Sequence, residues 1–198
     1  MSTAKGLLLV LMEAATDADE EFNAWYDTEH IPERAAVPGF ETALRYVCIS
    51  GWPRYMAVYD LVEPEILEGD AYRAIGGANL SVWSKRVLAN IRGYYRAEGP
   101  QLHPGHAITD TTRQRYLSLL RFHGANEPAL LEALRETVGK DPGTAALRLY
   151  PNTAAEGDHV ALIEHAAPCT QYEAPAALLD AVPDALDLVN TYMPYRRR

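Results

Sequence analysis

The sequence predicts an α+β protein in which two units of the same β-α-β-β-α-β order follow each other along 198 residues. Strand-length apolar runs and segments of helical period recur in that order in both halves. The halves also align in sequence, since residues 56–64 (MAVYDLVEP) match residues 160–168 (VALIEHAAP). A repeat with a period of about a hundred residues indicates two related units, each with the ferredoxin-like split βαβ order.

The first unit is assigned to residues 1–100. Its strands are expected at residues 6–13, 42–49, 54–62 and 91–96, and its second helix at residues 80–89. The first helix follows residues 16–19, which offer N-cap side chains, and places Phe22, Trp25, Tyr26 and His30 at three- and four-residue steps. Because proline lacks a backbone donor, Pro32 is expected to end or kink this helix beside His30.

Residues 101–112, rich in Pro, Gly and His, are interpreted as a linker, and residues 113–198 as the second unit. Its strands are expected at 116–123, 145–150, 159–166 and 189–195, with helices at 127–138 and 173–187. Pro194 in the last strand suggests a sheet edge. The strands are nearly continuously apolar, which indicates that both sheet faces are buried. Packing the two uncovered faces together would close an eight-stranded, barrel-like core with room for side chains or one small ligand.

Composition and charge exclude several classes of partner. A net charge of −9 argues against nucleic acid, which requires a basic surface. No apolar run approaches the length of a membrane span, and the N-terminus lacks a signal-peptide layout, so we expect a cytoplasmic protein without a membrane partner. Cys48 and Cys169 are interpreted as buried free thiols.

Metal and cofactor sites are poorly supported by the sequence. His103 and His106 form an H-x-x-H pair without a carboxylate at ligand spacing, and neither cysteine completes a zinc site. The sequence contains no phosphate-binding glycine loop, dinucleotide fingerprint or nucleophile elbow. We therefore expect no metal and no cofactor.

His30 is the best candidate for acid–base catalysis, because an imidazole titrates near neutrality. Tyr26 lies one helical turn earlier and could bring a phenol to the same place. The alternative is that His30 caps the helix C-terminus, where an imidazolium is favourable. Trp25 is as readily explained by packing.

Two strand residues are further candidates. Arg45 could anchor a carboxylate or phenolate, as could Arg148 at the equivalent position of the second unit, but either could instead form a structural ion pair with an acidic residue. Tyr59 shares a strand face with Tyr55, and that face either lines a cavity or is covered by helices.

The first half resembles the EthD-like branch of the dimeric α/β-barrel superfamily. The resemblance lies in Trp25, Tyr26, His30 and Pro32, then Pro38-Gly39-Phe40 and Arg45-Tyr46-Val47. It implies a barrel that is normally closed by two copies and is here fused into one chain. Relatives include cofactor-free cyclases, decarboxylases and monooxygenases acting on aromatic or polyketide-like molecules. Helix 127–138 lacks the Trp-Tyr, His and Pro pattern, so one site per chain is expected.

The resulting hypothesis is a cofactor-independent enzyme for a small aromatic or polyketide-like ligand. In it His30 shuttles a proton, Tyr26 assists, Arg45 orients an acidic substrate group, and Trp25 and Tyr59 contribute to substrate binding. The alternatives are a non-catalytic small-molecule binding protein, or a structural or oligomerisation module. A further homodimer of the fused barrel is left open.

Overall fold

The computed structural model describes residues 4–113 and 115–196. Within them, eight strands form one antiparallel sheet in the order β4-β1-β3-β2-β8-β5-β7-β6. The strands are β1 (Gly6–Glu13), β2 (Leu44–Ser50), β3 (Tyr55–Leu61), β4 (Arg92–Pro100), β5 (Leu117–His123), β6 (Thr144–Pro151), β7 (Asp158–His165) and β8 (Leu186–Pro194). Each expected strand is present, with ends that differ by a few residues.

The helices lie between the strands in the predicted order. They are α1 (Asp19–Trp25), α2 (Ile31–Ala35), α3 (Asp70–Arg73), α4 (Val82–Leu88), α5 (Glu127–Glu136) and α6 (Ala176–Ala181). A π-helical turn, Tyr26–His30, joins α1 to α2, and short 3₁₀ turns at Pro64–Glu68 and Gly77–Asn79 flank α3. The helix predicted over 173–187 is thus only six residues long, between the prolines that limit it.

The sheet curls into a nearly closed barrel. Strands β2 and β8 pair directly, with Tyr46 opposite Pro194, which joins the two halves. The two edge strands of the sheet, β4 and β6, approach each other at the remaining gap. There the backbone N–H of Thr153, just after β6, donates to the carbonyl of Glu98 in β4 at 2.8 Å. The expectation that Pro194 marks a sheet edge is therefore wrong: β8 lies between β2 and β5, and the proline is tolerated because it is the last residue of the strand.

Side chains from both halves fill the barrel interior, so the predicted α+β barrel-like core is confirmed. Leu9 and Val58 of the first half pack in the same cluster as Leu119 and Leu162 of the second. All four are fully buried. The alternating residues of the strands face outwards and are covered by helices, α1, α2 and α4 in the first half and α5 and α6 in the second.

An ion triad lies in the barrel interior. The Arg148 guanidinium donates to Asp60 Oδ1 at 2.7 Å and to Glu164 Oε1 at 3.0 Å, and all three side chains are buried. Asp60 Oδ2 also accepts from Thr42 Oγ1 and from the Thr109 backbone N–H. Of the two roles considered for Arg148, the structural ion pair is therefore the one observed, and it links the two halves.

The helix before Pro32 does not end at His30. The chain forms a π turn, in which the Ile31 N–H donates to the Tyr26 carbonyl five residues back, and then continues as helix to Ala35. A π turn shifts the backbone register, so Pro32 enters at the start of α2, where its missing N–H is tolerated. The N-terminal prediction also differs: Ala18 is the N-cap residue and provides no side-chain cap.

Residues 101–112 pack against the barrel. The Gln101 side chain is buried, and its Nε2 donates to the Tyr150 hydroxyl at 2.8 Å and to the Ala107 carbonyl. His103 forms an isolated antiparallel bridge with Leu149 of β6. These contacts attach residues 101–112 to strand β6 of the barrel. The two cysteines are free and half-buried, more exposed than expected.

Candidate functional site

A cavity of about 550 Å³ lies between the outer sheet face of the first half and the helices that cover it. Its walls come from β1, β3, β4, α2, and the segment around α3. The lining is mostly apolar and aromatic, with a few polar groups: Leu8, Val10, Met12, His30, Arg34, Tyr59, Tyr72, Gly76, Gly77, Leu80, Leu88, Ile91, Tyr94 and Arg96. This combination of size and lining is typical of small-molecule sites.

Three buried polar atoms of this cavity have no hydrogen-bond partner among the described residues. They are His30 Nδ1, Arg34 Nη1 and the Tyr59 hydroxyl. Buried polar groups in folded proteins are nearly always hydrogen-bonded, so each unpartnered one calls for an explanation. All three atoms belong to side chains that line the same cavity.

His30 is held by aromatic rings on two sides. The imidazole centroid lies 4.3 Å from the Trp25 ring and 5.0 Å from the Tyr26 ring, which meets it edge-on. Burial, together with the positive charges of Arg34 and Arg45, lowers the pKa of His30 well below its usual value. The imidazole is therefore neutral near pH 7.

Tyr59 and Arg34 face the cavity from the sheet and from α2. Burial raises the pKa of the Tyr59 phenol well above its usual value, so the hydroxyl keeps its proton. Arg34 is 5% exposed, and its guanidinium lies 5.6 Å from the centre of the Tyr72 ring. The Tyr72 hydroxyl in turn accepts from Arg96 Nη1 at 3.0 Å. The site thus combines a neutral base, a protonated phenol and a buried cation.

The structure brings two of the five predicted site residues, His30 and Tyr59, to this cavity. Trp25 and Tyr26 lie behind the imidazole and are buried in packing. Trp25 Nε1 donates to Ser84 Oγ at 3.0 Å, and the Tyr26 hydroxyl contacts Met12 Sδ at 3.8 Å. These two aromatic residues therefore position His30 and do not line the cavity.

Arg45 lies outside the His30 cavity. Its Nη1 donates to Asp27 Oδ1 at 2.7 Å, and its Nη2 donates to Asn23 Oδ1 at 2.6 Å. The guanidinium is sandwiched between the Tyr26 and Tyr195 rings and borders a separate cavity of about 290 Å³. Its observed role is the structural ion pair considered as the alternative, with Asp27 as the partner.

Helix termination does not explain His30. The cap role requires a helix C-terminus at this residue, but α2 continues to Ala35. The neighbouring Glu29 is turned away from the cavity, since its Oε1 accepts from Ser81 Oγ at 2.5 Å and from Ser84 Oγ at 2.9 Å. The two neighbouring side chains of the π turn therefore have different surroundings: Glu29 hydrogen-bonds to Ser81 and Ser84 at α4, and His30 lines the cavity.

Three functional candidates were not found by reasoning from sequence: Arg34, Tyr72 and Arg96. Arg34 had a usable signal, because it lies four residues after His30 and so on the same helical face. Expecting the helix to stop at Pro32 removed that residue from consideration. Tyr72 and Arg96 come from a polar connecting segment and from β4, and no local pattern connects them to His30.

No group of three or more His, Cys, Asp or Glu residues stands where it could hold a metal ion in the described ranges. In those same ranges, no helix has both the length and the apolar character needed to cross a membrane. Helix α5 of the second half, which corresponds to the His30 helix, instead presents Leu130, Ala133 and Leu134 to the core.

The fold is an α+β barrel-like sheet with helices on its outer face. No family model and no curated protein matches the chain. Among solved structures, it is similar to an anthrone oxidase-like protein, with 14% identity, a TM-score of 0.63, and coverage of 99% of this chain and 93% of the other.

Two further solved structures show the same fold. A candidate monooxygenase from Fusobacterium nucleatum subsp. nucleatum has 9% identity and a TM-score of 0.56, over 99% of this chain and 94% of its own. A mutant chlorite dismutase from Candidatus Nitrospira defluvii has 11% identity and a TM-score of 0.58, over 98% and 93%. At such identities the similarity establishes the fold, and the chemistry must be argued from the site.

Proposed function

We propose that this protein is a cofactor-independent enzyme of the oxidase or monooxygenase type, acting on a small aromatic or polyketide-like molecule in the His30 cavity. The observation that carries the proposal is that His30 Nδ1, Arg34 Nη1 and the Tyr59 hydroxyl, all buried and without a hydrogen bond among the described residues, belong to side chains that line one largely apolar cavity. The volume of about 550 Å³ is suited to a molecule of two or three fused rings.

In this proposal the neutral His30 imidazole removes a proton from an acidic C–H or O–H of the substrate. General bases of this kind contribute about 10²- to 10⁴-fold to rate. The negative charge that develops on the substrate oxygen is stabilised by a hydrogen bond from the Tyr59 hydroxyl, which is already desolvated and in place, and by the nearby positive charge of Arg34. The electron-rich anion then transfers electrons to dioxygen, the second substrate.

Anthrone is a suitable first probe, because a solved structure of the same fold is described as anthrone oxidase-like. Its oxidation balances as anthrone plus dioxygen to anthraquinone plus water. Product absorbance and oxygen uptake can be followed together, with the uncatalysed reaction subtracted. We expect a rate above that background and one dioxygen consumed per anthraquinone formed.

The decisive variant is His30→Gln, which keeps a polar side chain but removes the base. We expect a loss of at least about 100-fold in kcat/KM. His106→Gln is the matched control, since His106 is exposed and does not line the cavity. An unchanged rate in His30→Gln would refute the catalytic role. Binding of the probe without turnover in the wild type would favour the non-catalytic binding protein.

We also propose that the chain is two EthD-like units joined in one polypeptide, with residues 1–100 and 113–198 connected by residues 101–112. The identical sheet order of the two halves, β4-β1-β3-β2 and β8-β5-β7-β6, supports this division. Because strands of both halves build the nearly closed barrel within one chain, the proposal requires no second copy for the core. Light scattering of the purified protein distinguishes a monomer from a further homodimer.

A further inference from the structure

Arg34 presents a buried cation to the cavity. Only 5% of this residue is exposed, and its Nη1 has no hydrogen-bond partner. One part of the guanidinium faces the Tyr72 ring at 5.6 Å, and Tyr72 is itself held by Arg96. Arg34 Nη1 is therefore a buried donor that makes no hydrogen bond among the described residues, and packing restricts its position.

The charge on Arg34 is incompletely balanced by the groups around it. His30 is neutral near pH 7, because burial lowers its pKa, so it adds no charge that an anion must match. Arg96 is already paired with Glu98, with its Nε donating to Oε2 at 2.7 Å. Glu33 Oε2 forms an ion pair with Arg34 Nη1 at 3.5 Å, but no hydrogen bond joins the two atoms, and a third of the Glu33 side chain is exposed to water, which weakens the pairing.

A desolvated charge without a hydrogen-bonded counterion is costly, and its removal from water is best compensated by an opposite charge at contact distance. The guanidinium fork matches the plane of a carboxylate, and such charge-assisted hydrogen bonds are about twice as strong as neutral ones. The remaining walls are apolar side chains such as Leu8, Val10 and Leu88. An occupant that fits both features has an aromatic body and one carboxylate.

We propose that the substrate of this site is an aromatic carboxylic acid, bound as the carboxylate by Arg34. This inference rests on the proposed function for the choice of cavity and deepens it by naming the substrate class. Arg34 lies one helical turn after His30, on the same face, where such side chains start about 5–6 Å apart. The carboxylate and the proton that His30 removes therefore lie on the same edge of the ring system.

Anthrone, which has no carboxylate, is accordingly a minimal probe of the chemistry. The recognition step is tested separately by binding, with 2-naphthoate and its neutral isostere 2-naphthamide as probes. Isothermal titration calorimetry at pH 7 gives both dissociation constants. We expect the wild-type protein to bind the acid at least ten-fold more tightly than the amide, as a charge-assisted hydrogen bond implies.

Arg34→Met should abolish this preference by weakening binding of the acid and leaving binding of the amide within a few-fold. Arg73→Met is the matched control, because Arg73 lies in the neighbouring segment with a side chain 65% exposed. His30→Gln should keep the preference, since it removes the base and not the cation. This result, with turnover lost, would separate the recognition step from the proposed catalysis.

Two results would overturn the inference: equal affinity of the wild-type protein for the acid and the amide, or a preference that persists in Arg34→Met. The wild-type comparison decides by itself if Arg34→Met does not fold. Failure of anthrone turnover, by contrast, counts against the proposed oxidation chemistry and does not test the naphthoate preference, which its own measurement decides.

Discussion

The buried triad of Arg148, Asp60 and Glu164 makes a quantitative prediction about stability. Replacing Arg148 by Met removes the only cation of the triad and leaves two carboxylates in the barrel interior. The side chains of Arg148, Asp60 and Glu164 are 0%, 1% and 4% exposed, so water cannot take over the lost contacts without rearrangement. Breaking a buried ion pair from one side typically destabilises a protein by about 3–5 kcal/mol.

The structure places the expected value near the lower end of that range. Asp60 keeps two hydrogen bonds in the variant, from Thr42 Oγ1 at 2.7 Å and from the Thr109 N–H at 2.9 Å. Burial and the nearby Asp60 already raise the pKa of Glu164, against the opposing effect of Arg148. Without Arg148 that carboxyl takes up a proton more readily. We therefore expect a loss of about 3 kcal/mol at pH 7.

The assay is urea denaturation of Arg148→Met and wild type at pH 7 and pH 4. The folded pKa of Glu164 rises further in the variant, so the destabilisation is full at pH values above that folded pKa, shrinks as the pH falls from the folded towards the unfolded pKa, and is lost below the unfolded pKa. Arg121→Met is the control: its ion pair with Asp187 is partly exposed and should contribute at most about 1 kcal/mol. A loss below that of the control, or a loss independent of pH, would refute the assignment of the triad.

Two further predictions follow from single residues. The pKa of His30 is lowered in the folded state. As the pH falls below the unfolded pKa of about 6.5, the unfolded chain therefore binds a proton that the folded protein does not, and the free energy of unfolding decreases. The wild type should lose up to about 1.4 kcal/mol per pH unit more than His30→Gln, measured by denaturation between pH 6.5 and 5; parallel curves would contradict this. Gly93 has φ +57, and a Cβ there would lie 2.2 Å from Trp52 Cη2, so Gly93→Ala should lower stability by about 1–2 kcal/mol. Gly76→Ala, where the nearest contact is 3.5 Å, is the control, and equal effects of the two would show that strain at Gly93 is absent.

Strand positions were predictable because they depend on local composition. Residues 6–13 form an uninterrupted apolar run, and β1 has those bounds in the structure. Such a run can only be satisfied by burial on both sides, which a barrel with outer helices provides. The pairing of β2 with β8 had no such signal, and Pro194 pointed to the wrong position, because a proline at a strand end is compatible with either an edge or a centre.

The site shows a similar division. His30 and Tyr59 were found from residue type and spacing, and both line the cavity. Arg45 was expected there as well, but the side chain is directed to Asp27 by two polar contacts and two aromatic rings that come from distant segments. Arg34 was missed because Pro32 was expected to end the helix. The π turn before it shifts the backbone register, so the helix continues through Pro32 to Arg34.

The sequence by itself determined the order of the strands and the helix that carries His30. These features follow from periodicity and chain punctuation, which act over a few residues. Only the tertiary structure decided the surroundings of the charged groups. It pairs Arg148 with Asp60 and Glu164, and it places Arg34 in the wall of a cavity. The physical reason is that burial and charge pairing depend on segments far apart in the chain, which no local pattern encodes.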